Sequence, residues 1–140
     1  IELAGEINDS MPHFVVTKVI YALNNVAKAL RGSKVLVLGV AYKKNVNDAR
    51  ETSARPIIAQ LLKKGARVAY ADPYISSFNV GETKLRAVDF NTVNLLSYDV
   101  VLVHTDHSVF DFTQLWKSKC IVVDTRNVFG SKKRKGLFKL

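Results

Sequence analysis

Residues 34–52 read KVLVLGVAYKKNVNDARET, an apolar run that passes through Gly39 into a loop carrying Lys43, Lys44 and Arg50. Four residues of alternating Val and Leu before a glycine describe a strand covered on both faces. A dinucleotide-binding turn would follow such a strand with G-x-G-x-x-G, so that backbone N–H groups approach a pyrophosphate at a helix N-terminus. Here Gly39 stands alone, and the next helix signal waits until Thr52 or Ser53. The loop is therefore expected to hold an anion with side-chain charge rather than with its backbone.

Downstream of this strand, helical and extended signals alternate. Thr52 or Ser53 caps a helix running to about Lys64, with Pro56 in its first turns, Ile57, Ile58, Leu61 and Leu62 inward, and Gly65 ending it. ARVAYADPY reads as a strand closed by Asp72 and Pro73. Residues 76–94 are the least patterned, read as a short strand at KLRAVDF and a short helix near Thr92 to Ser97. YDVVLVHT is a strand, Asp111 caps the helix FTQLWKS, and KCIVVDT is read as the last strand. Upstream, Ser10 is expected to cap a helix with Pro12 in its first turn and Gly32 as its stop. Its apolar stripe runs through Met11, Val15, Val19, Leu23, Val26 and Leu30, and a second set, Phe14, Val16 and Ile20, is wide enough for two neighbours. Residues 1–9 begin abruptly inside what reads as another helical turn, as if cut from a longer polypeptide.

Alternation at this spacing predicts βαβ units: a Rossmann-like α/β fold, an open parallel sheet with helices on both faces, preceded by an N-terminal helix. Three regions are expected: residues 1–31, the end of a helical linker; 32–130, the α/β ligand-binding domain; and 131–140, a basic C-terminal tail. In such sheets ligands bind beyond the carboxyl ends of strands, where strand order reverses. That rule selects the loops carrying Tyr42, Lys43 and Lys44; His104, Thr105, Asp106 and His107; and Asp124, Thr125, Arg126 and Asn127.

Composition narrows the function classes. The formal charge is +9, and five of the 21 basic residues fall in the last nine positions. Such a tail reads first as a solvated, frayed terminus, with nucleic acid or acidic lipid as the alternative ligand. The other cations are more informative: Lys43, Lys44, Arg50, Arg55 and Arg126 all fall near strand ends or helix starts and can converge on one ligand. The one cysteine, Cys120, lies in an apolar run and reads as a buried strand thiol in a reducing compartment. No stretch reaches the ~18 apolar residues of a membrane span. His104, Asp106 and His107 lack a further ligand at a usual metal spacing, and no nucleophilic triad or P-loop is visible, so neither a metal site nor a catalytic residue is expected. His107 is expected to fix local structure or to contact a ligand weakly.

GVAYKKNVNDARE, GARVAYADPY, VLVHTDHSVF and VVDTRN, in that order, resemble the C-terminal UDP-binding domain of the nucleotide-sugar dehydrogenases, the UDP-glucose and UDP-N-acetylhexosamine 6-dehydrogenase family. EINDSMPHFVV resembles the end of that family's central helical region. The resemblance implies part of a cytoplasmic enzyme that oxidises the C6 hydroxyl of a UDP-sugar to a carboxylate in two NAD-dependent steps, for polysaccharide synthesis. It implies substrate-binding roles for Tyr42, Lys43 and Arg126 and a cofactor-facing role for Arg50. The family's NAD domain and catalytic cysteine have no counterpart here, and Cys120 does not match that cysteine. The chain alone is thus expected to bind UDP-sugars without turning them over. Expected partners are a UDP-sugar, an N-terminal NAD domain of the same polypeptide and a second subunit met through the first helix. Neither a membrane nor nucleic acid is expected as a partner. INDSMP leans toward the N-acetylhexosamine members. The competing reading is a free-standing interaction domain that grips nucleic acid or acidic lipid through its tail.

Overall fold

The computed structural model describes residues 2–140, with side chains from residue 10 onward. Five parallel strands, β1 (Lys34–Leu38), β2 (Arg67–Ala71), β5 (Val100–Val103), β6 (Val122–Asp124) and β7 (Leu137–Lys139), form one sheet in the order β2-β1-β5-β6-β7. A separate antiparallel hairpin joins β3 (Ser77–Val80) to β4 (Thr83–Arg86). Alternation along the strands divides the core into two layers. Val35, Val37, Val100, Leu102 and Val123 face one side with the helices α1 (Glu2–Asn24) and α2 (Ala54–Lys63). Leu36, Leu38, Val101, Val103 and Val122 face the other, against α3 (Phe112–Lys117) and the aromatic rings of Phe90 and Phe110. The α/β architecture with helices on both faces is as expected from the sequence, and every position from Val35 to Leu38 is fully buried.

The N-terminal helix departs from expectation at both ends. It begins at Glu2 rather than at a Ser10 cap, and Pro12 lies inside it. An interior proline forfeits one backbone bond and costs ~3 kcal/mol. Burying Val15, Val16, Val19 and Leu23, each stabilising by ~1.5–3 kcal/mol, outweighs that cost. The helix ends at Asn24, well before Gly32. Lys28 N–H donates to Leu23 O at 3.1 Å and Ala27 N–H to Asn24 O at 3.0 Å, with Ala27 at φ 59°. This is a Schellman stop built on alanine, so it carries no glycine signature. Of the second apolar set, Val16 is buried, whereas Phe14 and Ile20 remain exposed, as do Met11 and Tyr21.

α2 is capped as expected, but by Thr52: its Oγ1 accepts from Ala54 N–H at 3.2 Å, while Ser53 makes no capping bond. Gly65, at φ 94°, closes the helix with the same pair of bonds, Ala66 N–H to Leu61 O and Gly65 N–H to Leu62 O. Asp111 caps α3 through Thr113 N–H at 3.1 Å.

The basic tail is corrected outright. It is no frayed terminus: β7 pairs in parallel with β6 from Val122↔Leu137 to Asp124↔Lys139, and Phe138 meets the Tyr21 ring edge-on at 5.8 Å between centroids. Arg134 turns inward and donates to Leu115 O and Cys120 O at 3.1 and 2.8 Å, covering the carbonyl end of α3. Lys139 Nζ donates to Gly130 O. Cys120 is buried, as read, just before β6, with the Ser118 hydroxyl donating to its sulfur.

Candidate functional site

After β1 the chain adds β2 on one side and later β5 on the other. Strand order therefore reverses at β1, and the crevice lies between the loops that leave β1 and β5. Gly39, at φ 80°, donates to Ala71 O at 2.8 Å and presses against the second loop. A Cβ on Gly39 would come within 2.4 Å of Thr105 Cβ and O. Only glycine allows the two loops to pass this closely.

The N–H groups that a dinucleotide fold would turn toward a pyrophosphate are already occupied. Asp72, at the end of β2, accepts from Val40 N–H at 2.9 Å and Ala41 N–H at 3.3 Å through Oδ2. The same oxygen lies 2.9 Å from His107 Nε2, and Oδ1 accepts from Tyr74 N–H at 2.9 Å. Burial pushes the Asp72 carboxyl up, but the His107 bond and the backbone N–H groups overcome it and hold the group below its ordinary value. A protein carboxylate thus occupies the two N–H groups that follow Gly39, and they are not free to cradle a pyrophosphate.

The same network fixes the loop after β1. His107 Nδ1 accepts from Asn45 N–H at 2.8 Å, so the proton of the ring sits on Nε2, facing Asp72. Asn45, at φ 63°, also clamps Ser108, giving Nδ2–H to its Oγ and accepting its N–H, both at 2.8 Å. His107 is sealed from solvent. Its local structural role matches the sequence reading, while the buried carboxylate beneath it had no signal beyond the D-P that closes β2.

Beside these loops opens a cleft of about 940 Å³, lined by Tyr42, Ser53, Arg55, His104, Thr125 and Arg126 among others. Arg126 is held at its mouth through Nε, which donates to His104 O at 2.6 Å. Its terminal nitrogens make no bond or ion pair among the described residues. The turn that presents it is shaped by Asp124, which accepts from Arg126 N–H at 3.0 Å, Val128 N–H at 3.2 Å and Phe129 N–H at 3.3 Å. Beneath lies His104, 4% exposed, whose pKa is lowered to about 4 by burial first and by the Arg126 charge second.

Not every expected cation reaches this cleft. Tyr42 and Arg126 share it; Lys43 and Lys44 are exposed and line neither it nor the adjoining hollow. Arg50 lines that hollow with Tyr42, its guanidinium held two-pronged by Asp48 at 3.1 Å for each prong. Arg55 docks the β3–β4 hairpin, donating to Asn79 O at 3.0 Å and lying 4.6 Å from the Phe78 ring centre. Ser53 was read only as a helix cap, yet its hydroxyl lies in the cleft, 2.8 Å from His104 Nε2.

The chain is similar to several known proteins. A UDP-N-acetyl-D-mannosamine dehydrogenase from Methanococcus vannielii is 33% identical over 137 residues, covering 91% of this chain and 30% of the relative. The chain thus spans less than a third of the length of that curated relative. The structure of an NDP-N-acetyl-D-galactosaminuronic acid dehydrogenase from Methanosarcina mazei aligns with a TM-score of 0.75 at 29% identity, over 99% of this chain and 30% of the other. A UDP-D-ManNAc dehydrogenase from Pyrococcus horikoshii aligns with a TM-score of 0.77 over 98% of this chain and 32% of the other, and at 22% identity it speaks for the fold alone. Residues 36–131, well over half of the chain, match the UDP-binding domain of the UDP-glucose/GDP-mannose dehydrogenase family, and the chain belongs to that family.

Proposed function

We propose that this chain is the UDP-sugar-binding, C-terminal part of an NAD-dependent nucleotide-sugar 6-dehydrogenase that oxidises a C6 hydroxyl to a carboxylate, with a UDP-N-acetylhexosamine as substrate. The observation that carries the reading is Arg126, anchored by one nitrogen to His104 O while the rest of its fork faces the Tyr42 cleft. A planar guanidinium with free donors at a strand-order reversal suits two phosphate oxygens. Lys43, one residue beyond Tyr42 and exposed, supplies a second charge, and Tyr42 an aromatic face for the nucleotide. The substrate class follows the names of the relatives.

NAD does not fit the turn after β1, because Asp72 holds its N–H groups. We assign the cofactor and the catalytic cysteine to a preceding domain of the same polypeptide, with Arg50 as this chain's contribution, and expect no turnover by the chain alone. Exposed Met11, Phe14, Ile20 and Tyr21 on α1 support a homo-oligomer formed through that helix. No helix among the described residues is long and apolar enough to cross a membrane, and a cytoplasmic enzyme of polysaccharide synthesis is the setting we infer.

Calorimetric titration of the chain with UDP and UDP-N-acetylmannosamine tests the site. Loss of a charge-assisted contact worth ~1.5–3 kcal/mol should weaken binding about 10- to 100-fold in Arg126→Ala. Unchanged affinity in both Arg126→Ala and Lys43→Ala would overturn the assignment.

A further inference from the structure

Among the hydroxyls that line the cleft, those of Ser53 and Thr125 have their protons already committed. Thr105 Oγ1 donates to Ala41 O at 2.9 Å, so toward His104 Nδ1, also at 2.9 Å, it can only accept. The other neighbour of Nδ1 is Gly39 O at 3.0 Å, again an acceptor. Nδ1 must therefore carry the ring proton. With its pKa near 4 the buried imidazole holds one proton at neutral pH, and Nε2 presents a bare lone pair. Ser53 Oγ, 2.8 Å from Nε2, has to donate to it. Thr125 Oγ1 likewise gives its proton to Val103 O at 2.6 Å. Toward the cleft, each oxygen keeps only lone pairs. Those of Ser53 are not taken up by the start of α2, where it forms no capping bond.

A cleft with an arginine at its mouth and two neutral acceptors inside suits a ligand that is anionic at one end and rich in O–H donors at the other. We propose that Ser53 and Thr125 form an acceptor-only subsite for sugar hydroxyls, fixed in that state by His104 and Val103 O, which separates a sugar-bearing diphosphate from bare polyphosphate. This deepens the reading of the Arg126 cleft and rests on it. The donors can belong to the ribose or to the hexose, whose chemistry is the same.

The test titrates the 140-residue chain with inorganic pyrophosphate, UDP, 2′-deoxy-UDP and UDP-N-acetylmannosamine. Ser53→Ala and Thr125→Val should each weaken the sugar-bearing ligand about 5- to 10-fold, as for one lost hydrogen bond, and leave pyrophosphate unchanged. Ser53→Thr, which keeps the hydroxyl, should restore affinity. If the ribose 2′-hydroxyl is the donor, UDP loses affinity in Ser53→Ala and 2′-deoxy-UDP loses none; if the 3′-hydroxyl is the donor, both lose. If the hexose is the donor, only UDP-N-acetylmannosamine loses. Unchanged affinity for every sugar-bearing ligand, or an equal loss for pyrophosphate, overturns the subsite. Pyrophosphate and UDP binding that Arg126→Ala leaves untouched would instead overturn the underlying site, so the two failures are distinguishable. Ser53 is exposed, which keeps its variants informative should Thr125→Val perturb the fold.

Discussion

His107 Nε2 lies 2.9 Å from Asp72 Oδ2, and both side chains are closed to solvent. The pair joins the ends of β2 and β5 and, through Asn45, the loop that carries Tyr42 and Lys43. Asp72→Ala would strand His107 and the N–H groups of Val40, Ala41 and Tyr74. Each buried donor left without its acceptor costs ~1–3 kcal/mol, and urea unfolding should show a loss of several kcal/mol. A loss below ~1 kcal/mol, the worth of one ordinary hydrogen bond, would mean that water replaces the carboxylate.

Acid should weaken the fold through His104. In the unfolded chain this imidazole takes up a proton near its ordinary 6.5, in the native state only near 4, because burial and then Arg126 oppose the charge. Between these values the unfolded state binds more protons, so its share grows as pH falls. The contribution is complete above pH 6.5 and is lost on descent toward 4, by about 3 kcal/mol. Unfolding midpoints across that window should slope downward with acid, and His104→Gln should flatten the slope. Asp72, held below its ordinary 3.8, loses its contribution only under more acidic conditions.

Ala27 is exposed and sits at φ 59°, a conformation that disfavours a Cβ. Ala27→Gly should raise stability by ~1 kcal/mol, the strain removed exceeding the entropy gained by the unfolded chain. Thermal melts of the two proteins would show it as a higher midpoint for the glycine variant.

Arg134 binds two carbonyls from one nitrogen and Lys135 O from another at 2.7 Å, and its guanidinium carbon lies 5.9 Å from the Trp116 ring centre. Arg134→Ala should cost ~2 kcal/mol, since hydrogen bonds from charged groups are worth ~1.5–3 kcal/mol. Lys133→Ala, on an exposed neighbour, should change stability by less than ~0.5 kcal/mol. Equal effects from the two would return residues 131–140 to the status of a solvated tail.

What could be read from the chain alone follows from how local each signal is. β1, β2, β5 and β6 announce themselves as apolar runs, and Asp111 and Gly65 act on neighbours a few residues away. Pro12 inside α1 reflects a tertiary decision, the burial of Val15 to Leu23, that overrides local propensity. β7 was hidden by its charges: LFK is too short to show a period, and KKRK suggests solvent. Among the site residues, Tyr42 and Arg126 could be placed by the rule about strand ends. The roles of Asp72 and Ser53 could not, because each depends on a partner more than 30 residues away, His107 or His104.

The pairing of β1 also bears on how fast the fold can form. Lys34 meets Arg67 on one side and Val35 meets Val100 on the other, so neither edge of β1 can zip up from a nearby turn. Large loops must close before the first sheet contacts give anything back, whereas helical turns appear within about a microsecond. The rate-limiting event should be the meeting of β1 with β5, which places this α/β domain between the fast helical bundles and the slow all-β folds.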